Sequence, residues 1–264
     1  MNEGATPTFL KARQVPYSLR KQVEEELERL VAEGIIYPVE SSEWATPVVV
    51  VTKTGGKIRL CEDFRVTVNK NIRVDNYPLP RVKDTFATLG GSVVFSKIDL
   101  RNAYLQLELA EESKELCTLN TLKGLYRYHR LPFGVASAPA IWQRTIEQVL
   151  HGIRKTQCMM DDIIIAGDNE EEHFSIFEEV LARLDSHNIT INMDKCAFLQ
   201  KKVTFCGHQI DKEGLHKMPG KVKAVVEAPE PRDVSQLRAF LGLVNYYNQF
   251  LPNLSSLLHQ LLKK

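Results

Sequence analysis

The stretch Cys158-Met159-Met160-Asp161-Asp162-Ile163-Ile164-Ile165 sets two acids side by side between apolar residues. Such a run reads as strand, tight turn, strand. Two adjacent carboxylates repel and are costly to desolvate unless a cation sits beside them. Asp is also a common turn residue, so an isolated pair more often marks an exposed turn. A third carboxylate decides between the two. Val93-Val94-Phe95-Ser96-Lys97-Ile98-Asp99-Leu100 reads as a buried strand with one acid near its end, an expensive placement unless the acid is paired or metal-bound. If these strands are neighbours in one sheet, Asp99, Asp161 and Asp162 converge. Hard oxygen donors suit Mg2+, which binds through one or two carboxylates and substrate phosphates. Two such ions about 3.5–4 Å apart serve in-line phosphoryl displacement, chemistry that asks little covalent participation of the protein.

Composition narrows the field. The 264 residues are 44% hydrophobic and 25% charged, enough for one large domain or two to three subdomains. The net charge of +1 does not announce a nucleic-acid binder, so any basic surface is local. Five cysteines without a C-x-x-C pair argue against a zinc site or disulfide framework and for reduced intracellular thiols. No signal peptide, membrane-length apolar run, internal repeat or low-complexity tract is evident.

Periodicity predicts a helix from Ser18, its N-cap, to Gly34, with Leu19, Val23, Leu27, Leu30 and Val31 apolar. Thr46–Thr52 and Lys57–Cys61 predict a hairpin across Gly55-Gly56. Its basic residues, Lys53, Lys57 and Arg59 among them, mark either a solvated edge or a flap that clamps phosphates. Strands are expected over Leu105–Leu109, in a hairpin across Lys123-Gly124, over Asn188–Asn192 and over Val203–Ile210. Helices are expected from Ala140 to about Gly152, after Asp168 with Phe174, Phe177, Leu181 and Leu184 buried, and from Val234 to about Phe250. The acids at Asp168–Glu172 read as helix-start chemistry, not as a metal site.

Several segments, in order, resemble the motifs of reverse transcriptases. They are Ile58-Arg59-Leu60-Cys61-Glu62-Asp63-Phe64-Arg65 with Asn69, Tyr77-Pro78-Leu79-Pro80, Phe95-Ser96-Lys97-Ile98-Asp99-Leu100 with Tyr104, Leu131-Pro132-Phe133-Gly134 with Ala138-Pro139, and Phe205-Cys206-Gly207-His208. The tail, Leu237 to Tyr247 with Phe250-Leu251-Pro252-Asn253, is similar to the segment after the polymerase motifs of gypsy-type LTR retrotransposons. The resemblance implies an α+β right-hand polymerase. Its parts would be an extension at 1–17, fingers at 18–78 and 107–136, a ferredoxin-like palm at 79–106 and 137–218, and a partial thumb at 219–264. It implies an RNA-directed DNA polymerase that acts on a primed RNA or DNA template with dNTPs and two Mg2+ ions, with Mn2+ a substitute. Asp99, Asp161 and Asp162 match the catalytic, metal-binding acids, with Asp99 and Asp161 holding both ions and Asp162 assisting. Lys53 and Arg59 match contacts to the triphosphate. Tyr104 matches the aromatic that disfavours a 2′-hydroxyl, and Phe133 and Gly134 the nucleotide pocket. Met159, Met160, Phe205, Cys206 and Gly207 match primer contacts. Arg238, Gly242 and Tyr246 match a thumb track on one helix face. Lys195 matches a proton donor to pyrophosphate. The implied location is intracellular, in cytoplasm, nucleus or retroelement particles.

Two departures stand out. Met159 occupies a position that is usually Tyr in the family and offers no hydroxyl to the template–primer, and Glu62 adds an acid beside Arg59. The length leaves no room for a connection, ribonuclease H or integrase, so a truncated element without ribonuclease H activity is expected. A catalytically silent nucleic-acid-binding remnant is the alternative. A plain RRM-type binding domain is disfavoured because no exposed RNP-type aromatic motif is evident.

Overall fold

The computed structural model describes residues 1–52, 55–80, 86–217 and 227–246. Helix α1 (Arg20–Ala32) precedes strands β1 (Ile36–Val39), β2 (Thr46–Thr52), β3 (Ile58–Glu62) and β4 (Val94–Asp99). The hairpin β5 (Thr118–Thr121)–β6 (Gly124–Tyr128), helix α2 (Ala138–Val149), the hairpin β7 (Thr156–Met159)–β8 (Asp162–Gly167) and helix α3 (Glu170–Ser186) follow. Strands β9 (Ala197–Gln200), β10 (Lys202–Phe205), β11 (His208–Asp211) and β12 (Gly214–Lys217) come next, and helix α4 (Val234–Tyr246) last.

Three sheets form, ordered β1-β6-β5-β2-β3, β7-β8-β4-β9 and β10-β11-β12. The four-stranded sheet is antiparallel and covered on both faces. Side chains alternate across a strand, so Ile98, Ile163 and Ile165 go to one face. There they meet Trp142, Ile146 and Val149 of α2 and Ile176, Val180 and Leu184 of α3. Phe95, Ile164 and Ala166 go to the other face and pack on Val203, Phe205 and Ile210 of the three-stranded sheet. Each such isoleucine contributes about 1.5–3 kcal/mol of burial, so β4 and β8 are firmly held from both faces. A separate core joins α1 to the five-stranded sheet through Val23, Leu27, Ile36, Leu60 and Leu119.

Several local expectations are corrected. Ser18 does not cap α1: a 3-10 turn over Tyr17–Leu19 leads in, and no side chain caps the helix. Gly34 does end it, at φ +67, with the Ile35 N–H donating back to the Leu30 carbonyl. The alternating stretch after Tyr104 is a 3-10 turn over Ala103–Gln106 followed by a single bridge, Glu108 to Arg130, not a strand. Asn102, at φ +52, starts that turn, and Gln106 holds it closed through the Arg101 carbonyl. Asn188–Asn192 forms one bridge, Ile191 to Leu100, in place of a strand. On α3 the expected Leu184 is buried and Phe177 and Leu181 pack half-buried on the same core, but Phe174 is 48% exposed, and His173, Ile176 and Val180 are the other buried positions. Ala197–Gln200, for which no element was expected, is a strand on β4. Lys53, and the tail beyond Tyr246, lie outside the described residues.

Candidate active site

The two-residue turn Met160-Asp161 joins β7 to β8 between the Met159–Asp162 pair. β8 lies antiparallel on β4 in a register that makes Asp162 the Cα partner of Asp99. Opposed residues in such a pair hold their Cβ atoms about 4.5–5.5 Å apart on the same face. Asp161 joins them from the turn: its carbonyl accepts the Leu100 N–H at 2.7 Å. Burial, then the charges of Asp162 and Asp99, push the Asp161 carboxyl above its usual range, while Lys195 opposes the rise. Asp99 and the Asp161-Asp162 pair, distant from it in sequence, thus share one electrostatic environment.

The turn itself is strained and clamped. Met160 has φ +56, a region that side-chain-bearing residues seldom adopt. Two fully buried residues of α2 hold it there. Trp142 donates Nε1–H to the Met160 carbonyl at 2.8 Å. Gln143 accepts the Met160 N–H at 2.8 Å and donates to the Cys158 carbonyl at 3.1 Å. Neither was named from the sequence. Their signal was faint: two bulky residues where a simple apolar stripe would suffice.

Two lysines reach the acids. Lys97 meets Asp162 at 2.9 Å, and the exposed Lys195 comes within 3.7 Å of Asp99. Lys195 was singled out from the sequence; Lys97, two residues before Asp99 on the same strand face, was not.

The surrounding wall is aromatic. The Tyr104 ring lies 5.0 Å from Phe133 and 6.5 Å from Trp142. Burial, and then Asp161, raise the Tyr104 hydroxyl above its ordinary range. The Arg59 guanidinium stands 5.6 Å over the Phe133 ring. Glu62, three residues on, lies on the opposite strand face. Its carboxyl accepts the Tyr128 hydroxyl; burial raises it, and Tyr128 and Arg59 lower it. The expected acid beside Arg59 is therefore turned into the core. Gly134, at φ +88, leaves only 3.4 Å between a Cβ placed there and the Glu62 carbonyl. Asn69 clips this loop, donating to the Gly134 carbonyl and accepting the Ala136 N–H, both at 2.8 Å.

Phe205-Cys206-Gly207 makes the β10–β11 turn, with Cys206 at φ +48 and Gly207 at φ +75. Cys206 and Met159 pack with Phe205 against the apolar cluster on the acids' side of the sheet. Burial and Asp162 push the Cys206 thiol up to about 11, with Lys97 opposing, so this turn adjoins the acids. Arg238 and Gly242 are exposed on α4, one turn apart, with Tyr246 one turn further.

The acids fit a divalent cation: all donors are hard oxygens, and like charges already raise one of them. Among the described residues, the group of three whose ligand atoms all lie within 4.8 Å of one another is instead Asp211, Glu213 and His216. In that group Asp211 Oδ1 is already taken by His216 Nε2 at 2.7 Å and by the Glu213 N–H. Asp99, Asp161 and Asp162 do not form such a group.

Comparison with known proteins agrees with this geometry. The family described as "Reverse transcriptase (RNA-dependent DNA polymerase)" matches residues 51–210. An uncharacterized Caenorhabditis elegans protein is 39% identical over 253 residues, 95% of this chain and 20% of that protein. The retrovirus-related Pol polyprotein from transposon opus of Drosophila melanogaster is 34% identical over 254 residues, 94% of this chain and 25% of that protein. The chain thus spans about a fifth to a quarter of the length of these relatives. The foamy viral protease–reverse transcriptase solved with double-stranded DNA superposes with a TM-score of 0.86 at 24% identity, covering 98% of this chain and 45% of that one. The foamy viral protease–reverse transcriptase in complex with an RNA/DNA hybrid, without the dRH designation of the first, gives 0.82 at 23% identity, covering 98% and 35%. These likenesses show the α+β fold of that polymerase. With the acids of β4 and β8 in register and the family matched over most of its length, this chain belongs to the reverse transcriptase (RNA-dependent DNA polymerase) family.

Proposed function

We propose that the chain is the polymerase portion of a gypsy-type LTR retrotransposon Pol protein, extending a primer 3′ end with deoxynucleotides on an RNA or DNA template. One observation carries the reading: Asp99 and Asp162 are directly paired across two of the best-buried strands, with Asp161 at the adjoining tip. Divalent ions, Mg2+ by donor chemistry, would supply charge neutralisation at the reacting phosphate. The chain's own residues do the positioning. Arg59, with Lys53 from the same hairpin, meets the triphosphate. Tyr104 and Phe133 wall the nucleotide, and the ring of Tyr104 crowds the sugar 2′ position. The turn at Phe205–Gly207 steadies the primer end, and Lys195 stands within reach of a departing pyrophosphate. Arg238, Gly242 and Tyr246 would follow the duplex backbone by shape and charge. In these terms residues 18–78 and 107–136 act as fingers, 79–106 and 137–218 as palm, and the segment from 219 as thumb.

The test is incorporation of dNTPs on an RNA template with a DNA primer and Mg2+. Incorporation that Asp161→Asn abolishes supports the proposal. Binding of the primed template without incorporation, unchanged by Met159→Tyr, would favour the silent-remnant reading instead.

A further inference from the structure

The far end of the three-stranded sheet carries a second set of ligating side chains. On β11 and β12, Gln209 stands opposite His216 and Asp211 opposite Gly214. These positions share one face, while Ile210 and Leu215 point the other way, into the core. Glu213 sits in the turn between the strands. Asp211, Glu213 and His216 each bring a ligand atom within 4.8 Å of the others. The set mixes an imidazole nitrogen with two carboxylates, unlike the all-oxygen set at Asp99, Asp161 and Asp162. A Cβ placed on Gly214 meets nothing within 4 Å, so the space facing Asp211 is open. Asp211 and Glu213 also border a cleft of about 650 Å³ that reaches the start of α3, room for the waters of an ion with few protein ligands. The turn lies about 10 Å along β11 from the Cys206–Gly207 turn that adjoins the acids.

We propose that Asp211, Glu213 and His216 form a binding site for a transition-metal dication, Zn2+ by donor chemistry. Imidazole nitrogen suits Zn2+, Ni2+ and Cu2+, whereas Mg2+ keeps to oxygen. Three protein ligands and a water complete a tetrahedral zinc site. With bonds of about 2.0–2.2 Å, the ligand atoms of such a site stand about 3.3–3.6 Å apart. The contact between Asp211 Oδ1 and His216 Nε2, now 2.7 Å, opens by less than about 1 Å to reach that spacing. Exposed Glu213 swings in from the turn. The ion takes the Nε2 lone pair, with the ring proton on Nδ1. Bound there, the metal staples β11 to β12. The plain alternative is an Asp211–His216 ion pair that pins the hairpin and holds no metal.

Zn2+ affinity of the full chain separates the two, measured under reducing conditions by competition with a chromophoric chelator. His216→Gln is expected to weaken Zn2+ at least about tenfold, and Glu213→Gln about three- to tenfold. Asp161→Asn is expected to leave the affinity within about twofold. Thiolates also bind zinc, and the chain has five cysteines, so a second readout identifies the ligand. In protein labelled at histidine, an equimolar amount of Zn2+ should shift one imidazole resonance, the one missing from His216→Gln. A His216→Gln protein that binds Zn2+ like the parent, a shift confined to other histidines, or Zn2+ loss in Asp161→Asn alone would overturn the proposal. Should His216→Gln not fold, Glu213→Gln decides, and unchanged affinity there overturns the proposal as well. None of these outcomes bears on the polymerase reading, which stands on the acids of β4 and β8.

Discussion

Replacing Gln143 by Leu isolates the support of the acidic turn from its chemistry. Gln143 is fully buried and touches none of the three acids. Within β7, Met159 faces Asp162 across the turn and Gln157 faces Ile164, and β7 is an edge strand. The outward-facing polar groups at this edge have no further strand to meet. Gln143 meets them, accepting the Met160 N–H and donating to the Cys158 carbonyl, with a further bond to Glu147 at 2.7 Å. Leu fills nearly the same volume but satisfies neither backbone group. Each buried orphan costs about 1–3 kcal/mol; two of them, less the favourable transfer of an apolar side chain, give an expected loss of about 3 kcal/mol. The Met160 turn, already in an unfavourable φ region, would then relax and shift Asp161. Urea unfolding should show the midpoint falling with an unchanged slope, and primer extension should drop at least about tenfold through kcat. A Gln143→Leu protein within about 0.5 kcal/mol of the parent and fully active would refute the idea that α2 aims the turn.

Asp161→Asn removes a repelled carboxylate, so it should raise the urea midpoint at pH 7 while abolishing incorporation. Because the folded-state pKa is raised, the gain should vanish as pH falls through it, where the parent residue is itself protonated. Glu62 is also raised by burial, so its contribution to stability is present at low pH and lost as pH rises through its folded value. Glu62→Gln should flatten that decline in pH-dependent denaturation; an unchanged slope would count against a buried carboxyl there. Among the described residues neither buried ring nitrogen of His173 has a hydrogen-bond partner, and burial lowers its pKa. His173→Leu should therefore stabilise by about 1 kcal/mol and reduce the loss of stability below about pH 6.5. Gly134→Ala should cost about 1–2 kcal/mol, since φ +88 and a 3.4 Å approach to the Glu62 carbonyl both oppose a Cβ; thermal unfolding checks this.

Strong local patterns were readable from the chain. Uninterrupted apolar runs such as Ile163-Ile164-Ile165 and the Asp-Asp pair announced a buried hairpin, because a two-residue turn is a local event. Helices α1, α2 and α3 followed from their periodicity. Weaker patterns were overridden. Leu105 to Leu109 alternates like a strand, yet tertiary hydrogen bonds to Arg101 and Thr190 wind its start into a 3-10 turn. On α3 only the first expected core position missed, Phe174 in place of its neighbour His173, because a buried histidine looks polar in sequence.

What the sequence determined alone is therefore the inventory: which residues carry charge inside apolar strands, and the family to which their order belongs. Only the tertiary structure decided the pairing of residue 99 with residue 162, the clamp from Trp142 and Gln143, the inward turn of Glu62, and the capture of Asp162 by Lys97. The physical reason is range. Propensity and periodicity act over one or two turns of chain, whereas register and ion pairing between distant strands are set when separate apolar faces close on each other.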